Sequence, residues 1–211
     1  MMHILWDWNG TLLDDTEAAL GALNDVLMRR GLHPLTMAFY RDRFSFPVKP
    51  FYAEAGVDLA KEDWHALACE YHACYAARPK KLNVEAIAAL EQVKATGARQ
   101  SVLSALRQDL LEEAVAAHGV APYMDWVYGV DNLDGATKLE RARELVARTG
   151  VEGLVVIGDA LHDKEVADAF GVRCVLCAQG GHSFERLRKV APTGRTLLES
   201  VRLALGEGLK G

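Results

Sequence analysis

The chain has 211 residues, enough for one sizeable domain or a core domain with a smaller insertion, and half of them are apolar, which excludes wholesale disorder. Its formal net charge of −5 argues against coating nucleic acid or an anionic membrane, since both need clustered positive charge. The opening apolar run has no basic segment before it and no later run is long enough to span a bilayer, so a soluble, cytoplasmic protein is expected.

The first element is a continuous apolar run over residues 2–6, of the kind buried on both faces of a parallel sheet. Helical patterns follow. Leu20, Leu23 and Leu27 form one stripe, with Asp15 or Thr16 as N-cap and Gly31 as a stop. Trp64, Leu67, Ala68, Tyr71 and Tyr75 form another, closed by Pro79, and residues 44–50 between the two are irregular. From residue 82 the alternation is regular. A helix marked by Ile87, Leu90 and Val93 stops at Gly97, a strand covers 101–103, and a helix over 109–118 stops at Gly119. A strand at 126–128, a helix carrying Leu139, Ala142, Leu145 and Val146, and strands at 154–157 and 173–176 complete the series. Such alternation predicts an α/β fold: an open, Rossmann-like parallel-sheet core from residues 1–14 and 82–211, with an all-helical insertion over 15–81.

Four cysteines are present. Cys174 and Cys177 are spaced like a metal-binding pair, but residues three apart in a strand face opposite sides and cannot chelate one ion. Cys69 and Cys74 project about 140° apart on a helix. All four are expected to be small buried thiols.

Ligands of open parallel sheets bind beyond the carboxyl ends of the strands, so the residues just after strands carry the functional signal. Strand one ends in Asp7-Trp8-Asn9-Gly10-Thr11, and the next in Ser104, followed by Ala105. Residues 154–157 lead into Gly158-Asp159-Ala160-Leu161-His162-Asp163, and Lys138 opens a helix after the loop 131–137. Carboxylates gathered at one sheet edge repel one another unless a cation lies between them, and hard oxygen ligands suit Mg2+. A lysine supplies fixed positive charge for phosphate oxygens, and hydroxyls with turn amides complete a cradle. Each of these residues alone has an ordinary structural use as a turn former, helix cap or solvated first-turn lysine. Their order and placement are what point to phosphoryl transfer with a carboxylate nucleophile.

The four segments resemble the motifs of the haloacid-dehalogenase superfamily of hydrolases: D-x-D-G-T after an apolar strand, a strand-terminal Ser or Thr, a Lys, and G-D-x-x-x-D. The helical insertion resembles the small cap of the phosphoglycolate-phosphatase-like branch, as do Val166-Ala167-Asp168-Ala169-Phe170-Gly171-Val172 and Gly180-Gly181-His182-Ser183. The resemblance implies that Asp7 attacks phosphorus to form an aspartyl phosphate. It implies a Mg2+ ion held by Asp7, the Asn9 carbonyl and Asp159, with Asp163 supporting that shell or Lys138. Ser104 and Lys138 would hold the phosphoryl group, in a substrate cradle completed by Gly10, Thr11 and Ala105. The implied substrate is a small phosphorylated metabolite, phosphoglycolate foremost, with neither nucleic acid nor membrane as partner.

One position departs from the pattern. Where the family's phosphatases carry a second Asp that protonates the leaving alcohol, this chain has Asn9, which cannot transfer a proton in that way. Three readings stay open. The enzyme favours good leaving groups, or His162 or a water substitutes for the missing acid. Alternatively the chemistry is of the phosphonatase type, with Lys49 or Lys61 forming a Schiff base, or of the dehalogenase type, against which Asp159 tells. In the third reading the protein binds phosphate ligands with little catalysis. In the first, Asn9→Asp should gain activity on alkyl phosphates. Within the insertion, Arg41, Arg43, Phe44 and Lys49 flank the irregular stretch, and Arg43 is a candidate for meeting a substrate carboxylate. Trp8 is expected at the cap hinge or the site entrance.

Overall fold

The computed structural model describes residues 1–130 and 138–207; the loop 131–137 read from the sequence lies outside the described residues. The chain begins with β1 (His3–Trp6) and β2 (Leu13–Asp14), then four helices, α1 (Thr16–Arg29), α2 (Met37–Arg43), α3 (Val48–Glu54) and α4 (Trp64–Ala76). It continues through β3 (Lys81–Leu82), α5 (Ala86–Ala95), β4 (Arg99–Arg107), α6 (Gln108–Ala117), β5 (Trp126–Val130) and α7 (Lys138–Thr149). The last elements are β6 (Leu154–Gly158), α8 (Leu161–Ala169), β7 (Arg173–Cys177), α9 (Phe184–Leu187), β8 (Thr193–Gly194) and α10 (Leu197–Leu205).

Six strands form one sheet in the order β5-β4-β1-β6-β7-β8, and every pairing in it is parallel. The period-two alternation of strand side chains divides the core into two layers. Ile4, Trp6, Val155, Ile157, Val175 and Cys177 face one layer, covered by Leu90 and Val93 of α5, Leu111 and Val115 of α6, and Leu197 and Val201 of α10. Leu5, Val156, Cys174 and Leu176 face the other, against Ala142 and Leu145 of α7 and Val166 and Ala167 of α8. Cys174 and Cys177 therefore lie on opposite faces of β7, as their spacing requires. Cys74 is buried, but Cys69 is exposed, on the outer face of α4.

The insertion contains four helices where two apolar stripes mark two. The stretch between α2 and α3 covers only 44–47, since residues 48–50, read from the sequence as irregular, open α3; Tyr40, Phe51 and Tyr52 from these helices join Leu23, Val26, Leu27 and Leu67 in a third apolar cluster. β2 and β3 pair antiparallel where the chain leaves and re-enters the sheet domain. Both are two residues long, too short for periodicity to reveal. β4 runs past Ser104 to Arg107, with a register shift between Leu103 and Arg107, so Ser104 sits at an irregularity within the strand rather than at its end. Trp8 is wholly buried in the first core layer, edge-on to His118 at 5.9 Å, and so does not line the entrance; its carbonyl accepts from Leu13 N at 2.8 Å, beside the point where the chain leaves the sheet domain.

Leu5 is 1% exposed at the centre of the sheet. Leu5→Ala is expected to cost about 2–5 kcal/mol in urea unfolding. A loss below about 0.5 kcal/mol, the range of ordinary surface substitutions, would contradict this packing.

Candidate active site

The sheet order changes direction between β1 and β6, and such a switch point opens a crevice at the carboxyl ends of the strands. Asp7 follows β1, and its N–H donates to the Ile157 carbonyl at 2.8 Å, extending the β1–β6 ladder to the crevice. Asp159 follows β6, and Asp163 lies in the first turn of α8. Lys138 is the first residue of α7. None of these four groups is more than 8% exposed, so their charges must be satisfied by one another.

Lys138 Nζ donates to Asp7 Oδ1 and, at 2.5 Å, to Asp163 Oδ1. Asp163 Oδ2 accepts from the N–H groups of Asp159 at 3.1 Å and Ala160 at 3.0 Å. Both oxygens of Asp163 are thus committed, which makes it the anchor of Lys138 and of the turn after β6. Asp7 Oδ2 has a looser partner, the Thr11 hydroxyl at 3.4 Å. Asp159 Oδ2 accepts from Gly181 N at 2.5 Å. Three glycines make room for this packing. A Cβ on Gly10, whose φ is +77°, or on Gly180 would run into Asp159 Oδ2, and one on Gly158 would run into Asp163 Cγ.

Burial and the neighbouring Asp163 push Asp7 from its ordinary value of 3.8 up to about 7, although Lys138 opposes the rise. Burial also drives Asp159 well above the carboxylate range, with the charges of Asp7 and Asp163 adding to it. Burial would raise Asp163 too, but Lys138 outweighs it and carries Asp163 down to about 2. For Lys138 burial favours the neutral amine, and Asp163 and Asp7 together reverse this, holding the ammonium above its ordinary value. Lys138 pairs with only two of the three carboxylates, so the cluster has an excess of negative charge that a divalent cation would relieve. Its carboxylate oxygens are hard donors of the kind magnesium takes, and the residues present therefore fit that ion.

His162 Nε2 lies 3.7 Å from Asp163 Oδ1, and Asp7, His162 and Asp163 form the one set of three or more carboxylate, imidazole or thiol groups among the described residues whose ligand atoms are close enough together to share an ion; Asp159 is not part of that set. Burial lowers His162 to about 4, so it is neutral near pH 7. Asn9 is held on both sides. Its Nδ2 donates to Asp15 Oδ2 at 2.8 Å and lies 3.1 Å from the Tyr75 hydroxyl, while its Oδ1 accepts from Ser104 Oγ at 3.3 Å. Ser104 Oγ also accepts from Leu106 N at 3.1 Å. Ala105 is exposed.

The insertion is seated on the crevice. Arg41 Nε and Nη2 donate to the carbonyls of Gly180 and Gln179, each at 3.0 Å. Ser183 N donates to the Arg41 carbonyl at 3.1 Å, Arg186 Nη1 to that of Phe44 at 2.6 Å, and Phe46 packs edge-on to His162 at 4.7 Å. Arg43 is not brought to the cluster. It is half exposed and pairs with Asp42 at 3.6 Å and Glu54 at 3.4 Å. Lys49 lies over the Trp64 ring at 5.0 Å, and Lys61 pairs with Asp58 at 2.8 Å on the surface. Sequence reading passed over Arg41 in favour of its neighbour and missed Asp15 and Tyr75 altogether as site residues.

A family model described as haloacid dehalogenase-like hydrolase matches residues 4–177, and the chain belongs to that family. A curated phosphoglycolate phosphatase from Caulobacter vibrioides is 28% identical over 188 residues, covering 84% of this chain and 79% of that protein. Together these place the chain among hydrolases of the phosphatase type, in the phosphoglycolate-phosphatase-like branch. Among solved structures, a haloacid dehalogenase-like hydrolase from Streptococcus pneumoniae superposes with a TM-score of 0.77 at 17% identity, over 96% of this chain and 98% of that one. Protein tyrosine kinase A from Mycobacterium tuberculosis superposes with a TM-score of 0.77 at 21% identity, over 97% and 98%. Likeness at these identities is a likeness of fold, which hosts more than one chemistry.

The raised Asp7 has a consequence for stability. Its folded value lies above its unfolded one, so ionising it opposes folding; the penalty is absent below about pH 4, grows up to about pH 7 and is complete above that. Metal-free Asp7→Asn should therefore melt several degrees above wild type at pH 8, with the gap closing towards pH 4. Equal melting temperatures at pH 8 would contradict the charge balance of the cluster.

Proposed function

We propose that the protein is a magnesium-dependent phosphatase of small phosphorylated metabolites, phosphoglycolate being the leading candidate, and that it works through an aspartyl phosphate on Asp7. The observation that carries this reading is the buried bridge of Lys138 between Asp7 and Asp163 at the switch point of the sheet. Asp7 Oδ1 is taken up by Lys138, which leaves Oδ2, with the Thr11 hydroxyl at 3.4 Å, as the attacking atom. As Oδ2 bonds to phosphorus, the bond from phosphorus to the ester oxygen breaks and that oxygen departs with the electron pair. Water then attacks phosphorus and releases phosphate, restoring the Asp7 carboxylate. Lys138 balances charge on the carboxylate and on the transferring group, and the Ser104 hydroxyl becomes a further donor by turning its proton from Asn9 Oδ1 to the phosphoryl oxygen. A bound magnesium ion would add positive charge at the phosphoryl oxygens; Asp7, Asp159 and the Asn9 carbonyl are the residues that would hold it, with Asp163 in support through Lys138.

The helices of 15–81 serve as the cap. Their contacts through Arg41, Phe44 and Phe46 exclude water from the crevice and suit a small substrate. Because Asn9 cannot protonate a leaving group, esters of acidic alcohols should react fastest. The surface positions of Lys49 and Lys61 weigh against a Schiff-base mechanism. The carboxylate at Asp159 weighs against dehalogenase chemistry. The reading is tested by phosphate release from an aryl phosphate and a panel of small phosphate esters, with and without magnesium. The expected result is release that needs magnesium, is faster for the aryl ester and falls to background in Asp7→Asn. Release that ignores magnesium, or survives in Asp7→Asn, would sink the proposal.

A further inference from the structure

Asp15 stands at the N-cap position of α1, where a carboxylate ordinarily accepts from the first helical amides, yet its side chain makes no capping bond. It is 5% exposed and turned the other way, into the base of the site. Its Oδ1 accepts from Gly10 N at 2.7 Å, and its Oδ2 accepts from Asn9 Nδ2 at 2.8 Å and from the Tyr75 hydroxyl at 2.5 Å. Three donors converge on it, the pattern of a carboxylate acting only as an acceptor, and they oppose the rise that burial imposes on this group. Two of them belong to the nucleophile loop and the third comes from α4 of the cap. With Ser104 Oγ donating to Asn9 Oδ1, the amide of Asn9 can sit only one way round.

We propose that Asp15 is the positioning residue for Asn9, holding its amide between Ser104 and the cap residue Tyr75, so that the side chain tolerated at position 9 depends on the charge at position 15. A carboxylate at position 9 would have no proton to offer Asp15 and would set two buried negative charges at hydrogen-bonding distance. Exchanging the two groups would preserve every bond: an amide at position 15 still accepts from Gly10 N and donates to position 9, where a carboxylate accepts from Ser104 and Tyr75. Asn9→Asp alone is therefore expected to lower turnover, the opposite of what the sequence pattern suggests by itself. This deepens the phosphatase reading and its catalytic part rests on it.

The test is a double-mutant cycle of Asn9→Asp, Asp15→Asn and the combined exchange, read by thermal melting at pH 8 and by magnesium-dependent hydrolysis of an aryl phosphate. Asn9→Asp should lower the melting temperature by several degrees and kcat by roughly tenfold or more with KM little changed, the scale of a pairwise coupling of about 1.4 kcal/mol. The exchange should recover both, bringing kcat to within roughly threefold of wild type, well inside the loss of the single variant. Asn9→Asp that melts and turns over like wild type, or losses that simply add in the exchange, would overturn the coupling. Recovered melting without recovered kcat would overturn the positioning role and leave a structural pair. If wild type releases no phosphate, the phosphatase reading fails, and the melting cycle still decides the coupling: recovery in the exchange supports it and additivity overturns it.

Discussion

Lys138 sits buried between Asp7 and Asp163, and much of the local architecture follows from that bridge. Three carboxylates cannot be packed together at the edge of a dry sheet without a compensating charge. Asp163 fixes the lysine from one side and, through its second oxygen, pins the backbone turn that carries Asp159. Gly10 and Gly158 are required because any side chain there would displace a carboxylate. The bridge neutralises only part of the negative charge. What remains, on Asp7 and Asp159, is the charge that the proposed divalent cation would neutralise.

The cap completes the burial. Arg41 is tied to the carbonyls of residues 179 and 180, Arg186 reaches back to Phe44, and Phe46 covers His162. Asp7 is left only 5% exposed. Tyr75 joins the cap to the nucleophile loop from the opposite side, through Asp15 and Asn9. The residue that departs from the family pattern thus has a side chain that meets both the core, at Ser104, and the cap, at Tyr75.

Where function depends on strand ends, the sequence was informative. Apolar runs bounded by glycines and polar turns are local signals, and β1, β6 and β7 with Asp7, Asp159 and Asp163 lay where those signals pointed. Lys138 was legible only through its place in the motif order, since its partners are 131 and 25 residues away. β2, β3 and β8 were missed because two residues carry no period. Arg41 and Arg43 could not be separated without the packing of α2, which turns Arg41 to the core and leaves Arg43 on the surface. Asp15 read as a helix cap, a sound local inference that lost to a hydroxyl 60 residues away and a neighbouring amide.

The most direct test of the account is to look for the phosphorylated Asp7. Wild-type protein incubated with magnesium and an aryl phosphate would be quenched in acid, digested and analysed by mass spectrometry. The peptide containing Asp7 should gain the mass of one phosphoryl group, on Asp7 itself, and Asp7→Asn treated in the same way should gain none. Active turnover with no phosphoryl group on that peptide, or one that persists in Asp7→Asn, would contradict the assignment of Asp7 as the nucleophile.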